Sequence, residues 1–241
     1  MNNVKRAALV ALFCGLGGII LHSQTDLRFG FQLSPTFGWM NTNENYINRS
    51  DGPNLGLKLA VLGERYFREN YAVTFGIGFA FNMGGTLLYE YPGKYWTRSD
   101  LGTGLDTLSG KPKLKYSVNY LEIPLGLKMR TREFGYFRFF GEPMVVLGFK
   151  NQSTGRIKSV TDAEDINIKK EVNGLNLSWG LGGGAEYSIS QSTALVFGLY
   201  YQKGFTDATD DNGTIFHPQG NRTDKSKATM NGITLRLGVL F

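Results

Sequence analysis

Residues 230–241 alternate without a break: Ile233, Leu235, Leu237, Val239 and Phe241 against Gly232, Thr234, Arg236, Gly238 and Leu240, and the sequence ends on the aromatic. A period of two puts one set on each face of a β-strand, because successive side chains point to opposite sides of the pleat. Chain ends are usually polar and loosely held. A strand running to a terminal Phe therefore reads as a structural part, and as the closing strand of a barrel.

Seven more segments repeat the pattern. Leu27, Phe29, Phe31, Leu33, Phe37 and Trp39 share a face in the first, and Leu55, Leu57, Leu59 and Val61 in the second. The third sets Tyr71, Val73, Phe75, Ile77, Phe79, Phe81 and Met83 against Ala72, Thr74, Gly76, Gly78, Ala80 and Asn82. The fourth carries Leu121, Ile123, Leu125, Leu127 and Met129, and the fifth Phe137, Phe139, Val145, Leu147 and Phe149. The sixth carries Leu175, Leu177, Trp179, Leu181, Ala185 and Tyr187, and the seventh Leu195, Phe197, Leu199 and Tyr201. Eight segments with about ten core residues each match tilted strands crossing a hydrocarbon layer. Connections alternate between tight turns (65–70, 131–133, 190–192) and long polar stretches (41–53, 85–115, 151–173, 206–229). Short periplasmic turns opposite long outer loops are the expected asymmetry of an outer-membrane barrel.

A soluble barrel with an apolar interior would alternate equally well. Its outer face would then be rich in Lys, Glu and Thr. Here the polar set is mostly Gly, Ser, Ala and Asn with a charge at intervals, which suits a narrow, filled interior. The other set is nearly all Leu, Phe, Ile and Val. Lipid requires that face, whereas water would drive it to aggregate. The expected fold is all-β: an eight-stranded antiparallel up-and-down transmembrane β-barrel in the outer membrane. With 41% hydrophobic residues and 32 glycines the chain is too polar and too glycine-rich for a bundle of membrane helices.

Lys5 and Arg6, the apolar run 7–21 and His22-Ser23-Gln24 read as a signal peptide over 1–23, leaving 24–241 as the barrel domain. Cys14, the only cysteine, falls inside the signal, so no disulfide is expected in the mature chain. The formal charge of +6 loses Lys5 and Arg6 with it, leaving +4, and nucleic acid is not an expected partner.

Arg28, Lys58, Lys128, Arg138 and Arg236 share the small-residue face with Glu122, Glu142 and Glu186, and are expected to form a paired charge network filling the lumen. A simple register through the 131–133 turn would set Glu122 opposite Glu142, with Arg236 or Lys58 bridging them, unless bulges shift it. Pro35, Pro124 and Pro143 each remove a ladder donor, and bulges are the expected accommodation. Trp39 and Trp179, with Tyr201, are candidates for the outer aromatic belt, and Tyr71 and Tyr187, with Phe29 and Phe241, for the periplasmic one. Gly182-Gly183-Gly184 reads as close packing or strong coiling of the wall.

Chemistry is sparse. His217 is the one histidine of the mature chain, with no nucleophile at a telling spacing, and Asp207, Asp210, Asp211 and Asn212 fail as a calcium loop because Ala208 falls at the first ligand position. No cofactor or metal is expected. The loop 85–115 mixes Tyr89, Tyr91, Tyr95 and Trp96 with Lys94, Arg98, Lys111, Lys113 and Lys115, a composition that suits either lipopolysaccharide, a glycan or protein partner, or folding onto the barrel rim.

The run Tyr120-Leu121-Glu122-Ile123-Pro124-Leu125, followed by Tyr136-Phe137 to Gly141, resembles the PorT-like outer-membrane β-barrel family of the Bacteroidetes. The resemblance covers the layout of the whole mature chain. It implies an eight-stranded outer-membrane barrel, and some members take part in type IX protein secretion. Phe241 is similar to the C-terminal aromatic signal read by the outer-membrane insertion machinery. The expectation is a non-enzymatic barrel with a plugged lumen, acting through its outer loops or periplasmic turns as an accessory of type IX secretion. The alternatives are a lipid-modifying enzyme and a generic surface or adhesion barrel. Expected partners are outer-membrane lipids and lipopolysaccharide, the insertion machinery and secretion subunits.

Overall fold

The computed structural model describes residues 27–102, 104–210 and 212–241; the expected signal peptide lies outside them, as does Asp211. Every regular element among them is a strand: β1 (Leu27–Thr42), β2 (Asn48–Arg68), β3 (Tyr71–Tyr89), β4 (Gly93–Lys94), β5 (Lys113–Arg130), β6 (Phe137–Lys158), β7 (Ala163–Asn167), β8 (Leu175–Ser188), β9 (Ala194–Gly204), β10 (Thr214–His217), β11 (Gly220–Thr223) and β12 (Ala228–Leu240). Eight of them close an antiparallel ring in the order β5-β3-β2-β1-β12-β9-β8-β6, with β6 returning to β5. β12 pairs with β1 and closes the seam, Phe241 and Phe29 exchanging backbone hydrogen bonds of 3.0 and 2.8 Å.

The outside of the wall is a band of exposed apolar residues, among them Phe31, Leu59, Ile77, Leu125, Val145, Leu181, Phe197 and Leu235. Exposed to water, so large a patch would be untenable; facing lipid, it is the surface that holds the barrel in place. Trp39 and Trp179 flank Tyr201 at ring distances of 6.4 and 6.0 Å at one rim. At the other, Tyr187 lies 5.0 Å from Phe137 and Tyr71 lies 6.2 Å from Phe67.

The strands are far longer than a membrane crossing needs: β6 has 22 residues and β2 has 21. Most of the stretches expected as long loops are therefore partly wall. The first shrinks to residues 43–47, and the turn expected over 65–70 shrinks to 69–70. Above the membrane the polarity of the wall reverses. In β3 the odd residues up to Phe81 face out. A bulge between Ala80 and Met83, with Asn82 at φ 56°, turns the next odd residues, Met83 and Leu87, into the interior. Met83 thus leaves the lipid face expected for it. In β6 the extra residue at the Asn119/Tyr120 irregularity likewise brings Ser153 and Ile157 inside. β5 needs no bulge of its own, because Leu114, Tyr116, Val118 and Tyr120 already hold the inward parity.

The three wall prolines are accommodated differently from the expectation. Pro35 pairs with Leu57, Pro124 with Val146 and Pro143 with Leu181, in register. On the opposite side the ladder skips each proline and resumes unshifted, as between Leu33/Leu237 and Thr36/Thr234. A proline lacks only one donor, so loss of pairing on one side suffices.

Candidate functional site

The lumen holds three layers of paired charge. Nearest the short turns, Lys128, 1% exposed, contacts Glu64 at 2.6 Å and Glu186, and sits 4.5 Å over the Phe140 ring. Arg28 reaches Glu186 from the side at 3.4 Å, and the Tyr66 hydroxyl donates to Glu64 at 2.7 Å. In the second layer Glu142 accepts from Arg236 (2.6 Å), the Tyr200 hydroxyl (2.5 Å) and the Thr74 hydroxyl (2.6 Å), while the Arg236 guanidinium lies 3.9 Å from the Tyr200 ring centroid. In the third, Lys58 donates to both oxygens of Glu122 (3.0 and 2.9 Å) and to Gln202 (2.8 Å). Burying charge in a low-dielectric space is tolerable only with such partners.

Arg28, Lys58, Lys128, Glu122, Glu142, Glu186 and Arg236 thus lie together in the lumen. Arg138 does not: it pairs with Glu133 at 2.6 Å beside the rim turn, with 30% of its side chain exposed. Its place near the end of β6 leaves it beside the solvent at the mouth. Glu64 is the residue sequence reasoning missed. With it in and Arg138 out, the network has four bases and four acids. The signal was available, since Glu64 continues the even-numbered face of Lys58. Glu122 and Glu142 do not face each other: Glu122 pairs across the strands with Gly148, so each acid keeps its own base and no bridge is needed. Gly182 belongs to the second layer, where a Cβ would run into the Tyr200 ring.

The void between these layers, lined by Lys58, Glu122, Gln202 and Arg236, measures ≈ 40 Å³. That is room for about three waters at ~10–15 Å³ each, far short of an aqueous channel. Above it the interior is an apolar core of Met40, Leu87, Leu114, Tyr116, Ile157 and Ile215, closed over by the long loops. Tyr89, Tyr95 and Trp96 join this core, Trp96 donating to the Tyr116 hydroxyl at 2.9 Å, so the loop aromatics turn inward rather than toward a partner. β10 and β11 form a hairpin on β4, completing the cap. Burial pushes up the carboxyls of Glu171 and Asp224 in the cap. Glu171 accepts from the Arg98 backbone at 2.6 Å, and Asp224 from the Ser226 backbone and hydroxyl at 3.0 and 2.6 Å.

The His217 ring lies tilted against Tyr91 with centroids 4.6 Å apart, and its Nδ1 accepts from the Gln219 amide. Asp207 is committed to Thr209 and to the Ala228 amide, and Asp210 is ion-paired with Arg98. Among the described residues no group of three His, Cys, Asp or Glu is placed to hold a metal.

Similar architecture occurs in several solved structures. Neisserial surface protein A is 9% identical, over 89% of this chain and 95% of that one, with a TM-score of 0.43. OprG from Pseudomonas aeruginosa is 14% identical over 89% and 95%, at 0.44, and a major outer membrane protein from Thermus thermophilus is 17% identical over 88% and 98%, also at 0.44. No curated protein matches the chain in sequence. Residues 22–210 match the family described as outer membrane protein beta-barrel domain; the chain belongs to that family and is an outer-membrane β-barrel.

Proposed function

We propose that this barrel is non-enzymatic, keeps its lumen closed, and works through its extracellular cap. The observation that carries this reading is continuous filling: three layers of ion pairs below and an apolar core above, with ≈ 40 Å³ of void among the charges. A filled eight-stranded barrel has no path for solutes. Its polar, shaped surface is the cap built from residues 90–102, 104–112, 159–174, 205–210 and 212–227. In planar bilayers the purified barrel gives no unitary conductance steps; such steps would refute the closed lumen.

The finer reading is an accessory of type IX protein secretion. It rests on the likeness of the 120–125 run to PorT-like barrels. The inward-facing residues of that run are Tyr120, 1% exposed within the upper core, and Glu122, held by Lys58. Affinity purification of the intact barrel from its native membrane tests the role. Recovery of secretion subunits supports it, and their absence leaves a surface or adhesion barrel.

A further inference from the structure

The outer flank of β5 and β6 carries cations in an arrangement that a sheet avoids. Lys113 is directly opposite Lys158, and Lys115 directly opposite Arg156. Their parity is outward, since Leu114, Tyr116 and Ile157 between them are buried. Like charges facing each other across a strand pair are destabilising, and here two such pairs are stacked into a square. Arg49 and Lys111 extend it along the neighbouring rim, both tied to Glu90 at 3.0 and 2.6 Å. Asp51 answers Lys113 at 2.7 Å and Glu164 answers Arg156 at 3.2 Å. Six cations therefore meet three carboxylates, and among the described residues no carboxylate pairs with Lys115 or Lys158.

The height of the square identifies what completes it. On β5 the lipid-facing apolar residues end at Leu121, opposite Phe149 on β6. Lys115 is six residues further on. At ~3.3 Å per residue and a strand tilt of ~40°, it lies about 15 Å above the hydrocarbon edge. The phospholipid headgroup layer is only about 5–7 Å deep, so the square stands above it, even for a lysine stretching toward the membrane. In the outer leaflet that level belongs to the sugars of the glycolipid. Between the apolar edge and the cations, Gln152 and Thr154 offer neutral hydrogen-bonding groups on the same face.

We propose that this flank is a docking site for the phosphorylated core saccharide of lipopolysaccharide, its phosphates neutralising Lys113, Lys115, Arg156 and Lys158. The site is separate from the cap, and holds whether or not the cap recruits secretion subunits. Binding to purified barrel therefore tests it independently of the cap reading.

The test is native mass spectrometry of the mature barrel in a zwitterionic detergent, titrated with rough lipopolysaccharide bearing its phosphorylated core and with lipid A alone. The paired substitution Lys115→Gln/Lys158→Gln weakens binding of the core-bearing glycolipid about thirty-fold, at the usual contribution of a basic side chain near an anionic surface. Lys225→Gln/Lys227→Gln, exposed on the cap and away from this flank, binds as the unmodified barrel does. With no glycolipid present, Lys115→Gln/Lys158→Gln unfolds at an equal or higher denaturant concentration, because repulsion is relieved. Unchanged binding by that variant overturns the proposal. So does equal affinity for lipid A alone, which would place the phosphates in the headgroup layer, and so does a loss of stability without glycolipid, which would make the lysines structural.

Discussion

Lys128→Met is the sharpest probe of the charge pairs in the lumen. The lysine is 1% exposed and contacts two carboxylates, Glu64 and Glu186; Arg28 is the other base in contact with Glu186, while Arg130 stands farther off over the Tyr66 ring. Methionine keeps the length and the contact with Phe140 but removes the charge, leaving two acids to one base. A charge pair at ~4 Å attracts by about 4 kcal/mol at an effective dielectric near 20. Part of that is offset by the cost of dehydrating the lysine, so breaking such a buried pair costs about 3–5 kcal/mol net. At ~4 kcal/mol the folding constant falls about a thousandfold. Adding Glu64→Gln restores one acid to one base while keeping an acceptor for the Tyr66 hydroxyl. The double variant then stands within about 1–2 kcal/mol of the unmodified barrel, the scale of a single hydrogen bond. Equilibrium denaturant titration in lipid vesicles, followed by tryptophan fluorescence, reads both values if the slope is unchanged. A single substitution costing under about 1 kcal/mol, or a double variant no better than the single, would refute the charge-pairing account of the lumen.

Other perturbations reach different parts of the molecule. Tyr200→Phe removes a hydroxyl that donates to Glu142 and lies 2.6 Å from Arg236; the same titration loses about 1.5–3 kcal/mol, as expected for a hydrogen bond to a charged group. In the cap, burial raises the Asp224 carboxyl, so the fold favours its protonated form. The cap therefore loses stability as pH rises from the ordinary aspartate value to the raised one. Asp224→Asn, read by resistance of the loops to protease, flattens that dependence and makes the cap more resistant at neutral pH than the unmodified barrel. Deleting Phe241 removes the closing backbone pair with Phe29 and a ring 5.8 Å from Phe31. Heat-modifiability on gels then shows impaired assembly, with export across the inner membrane intact.

The membrane half of this barrel was legible because a single solvent contrast governs it: lipid outside, small and paired polar groups inside. Eight segments of strict alternation follow from that contrast alone, and so does the inward parity of Lys58, Lys128 and Arg236. Glu64 escaped because β2 was ended at Val61, although the excess of bases over acids in the expected network pointed to a missing acid. Register was beyond reach. The β5–β6 pairing nearest the turn is Arg130 with Phe140, so residues 131–139 lie between the paired residues rather than 131–133, and that displacement moves the partner of Glu122 from Glu142 to Gly148. The upper wall was hidden for another reason. Met83, Leu87 and Tyr89 continue the odd-numbered pattern of Phe79 and Phe81, and the bulge at Asn82 turns them inward. A bulge changes the face without changing the alternation.

That reversal follows from the barrel's having two solvents along one set of strands. Below Leu121 the wall must show hydrocarbon to lipid, and its interior can hold charge because eight strands supply partners for every ion. Above it the exterior meets water and sugar, so Lys113, Lys115, Arg156 and Lys158 move outside. The apolar residues released from the outside then have only the lumen to occupy. Leu114, Tyr116, Ile157 and Met40 pack there with the loop aromatics Tyr95 and Trp96 as a water-excluding core of the kind found in soluble domains. The cap is consequently not a set of loops resting on a rim. It shares one core with the upper wall, which fixes the loops' shape and leaves their outer surface as the part of the molecule free to vary in what it binds.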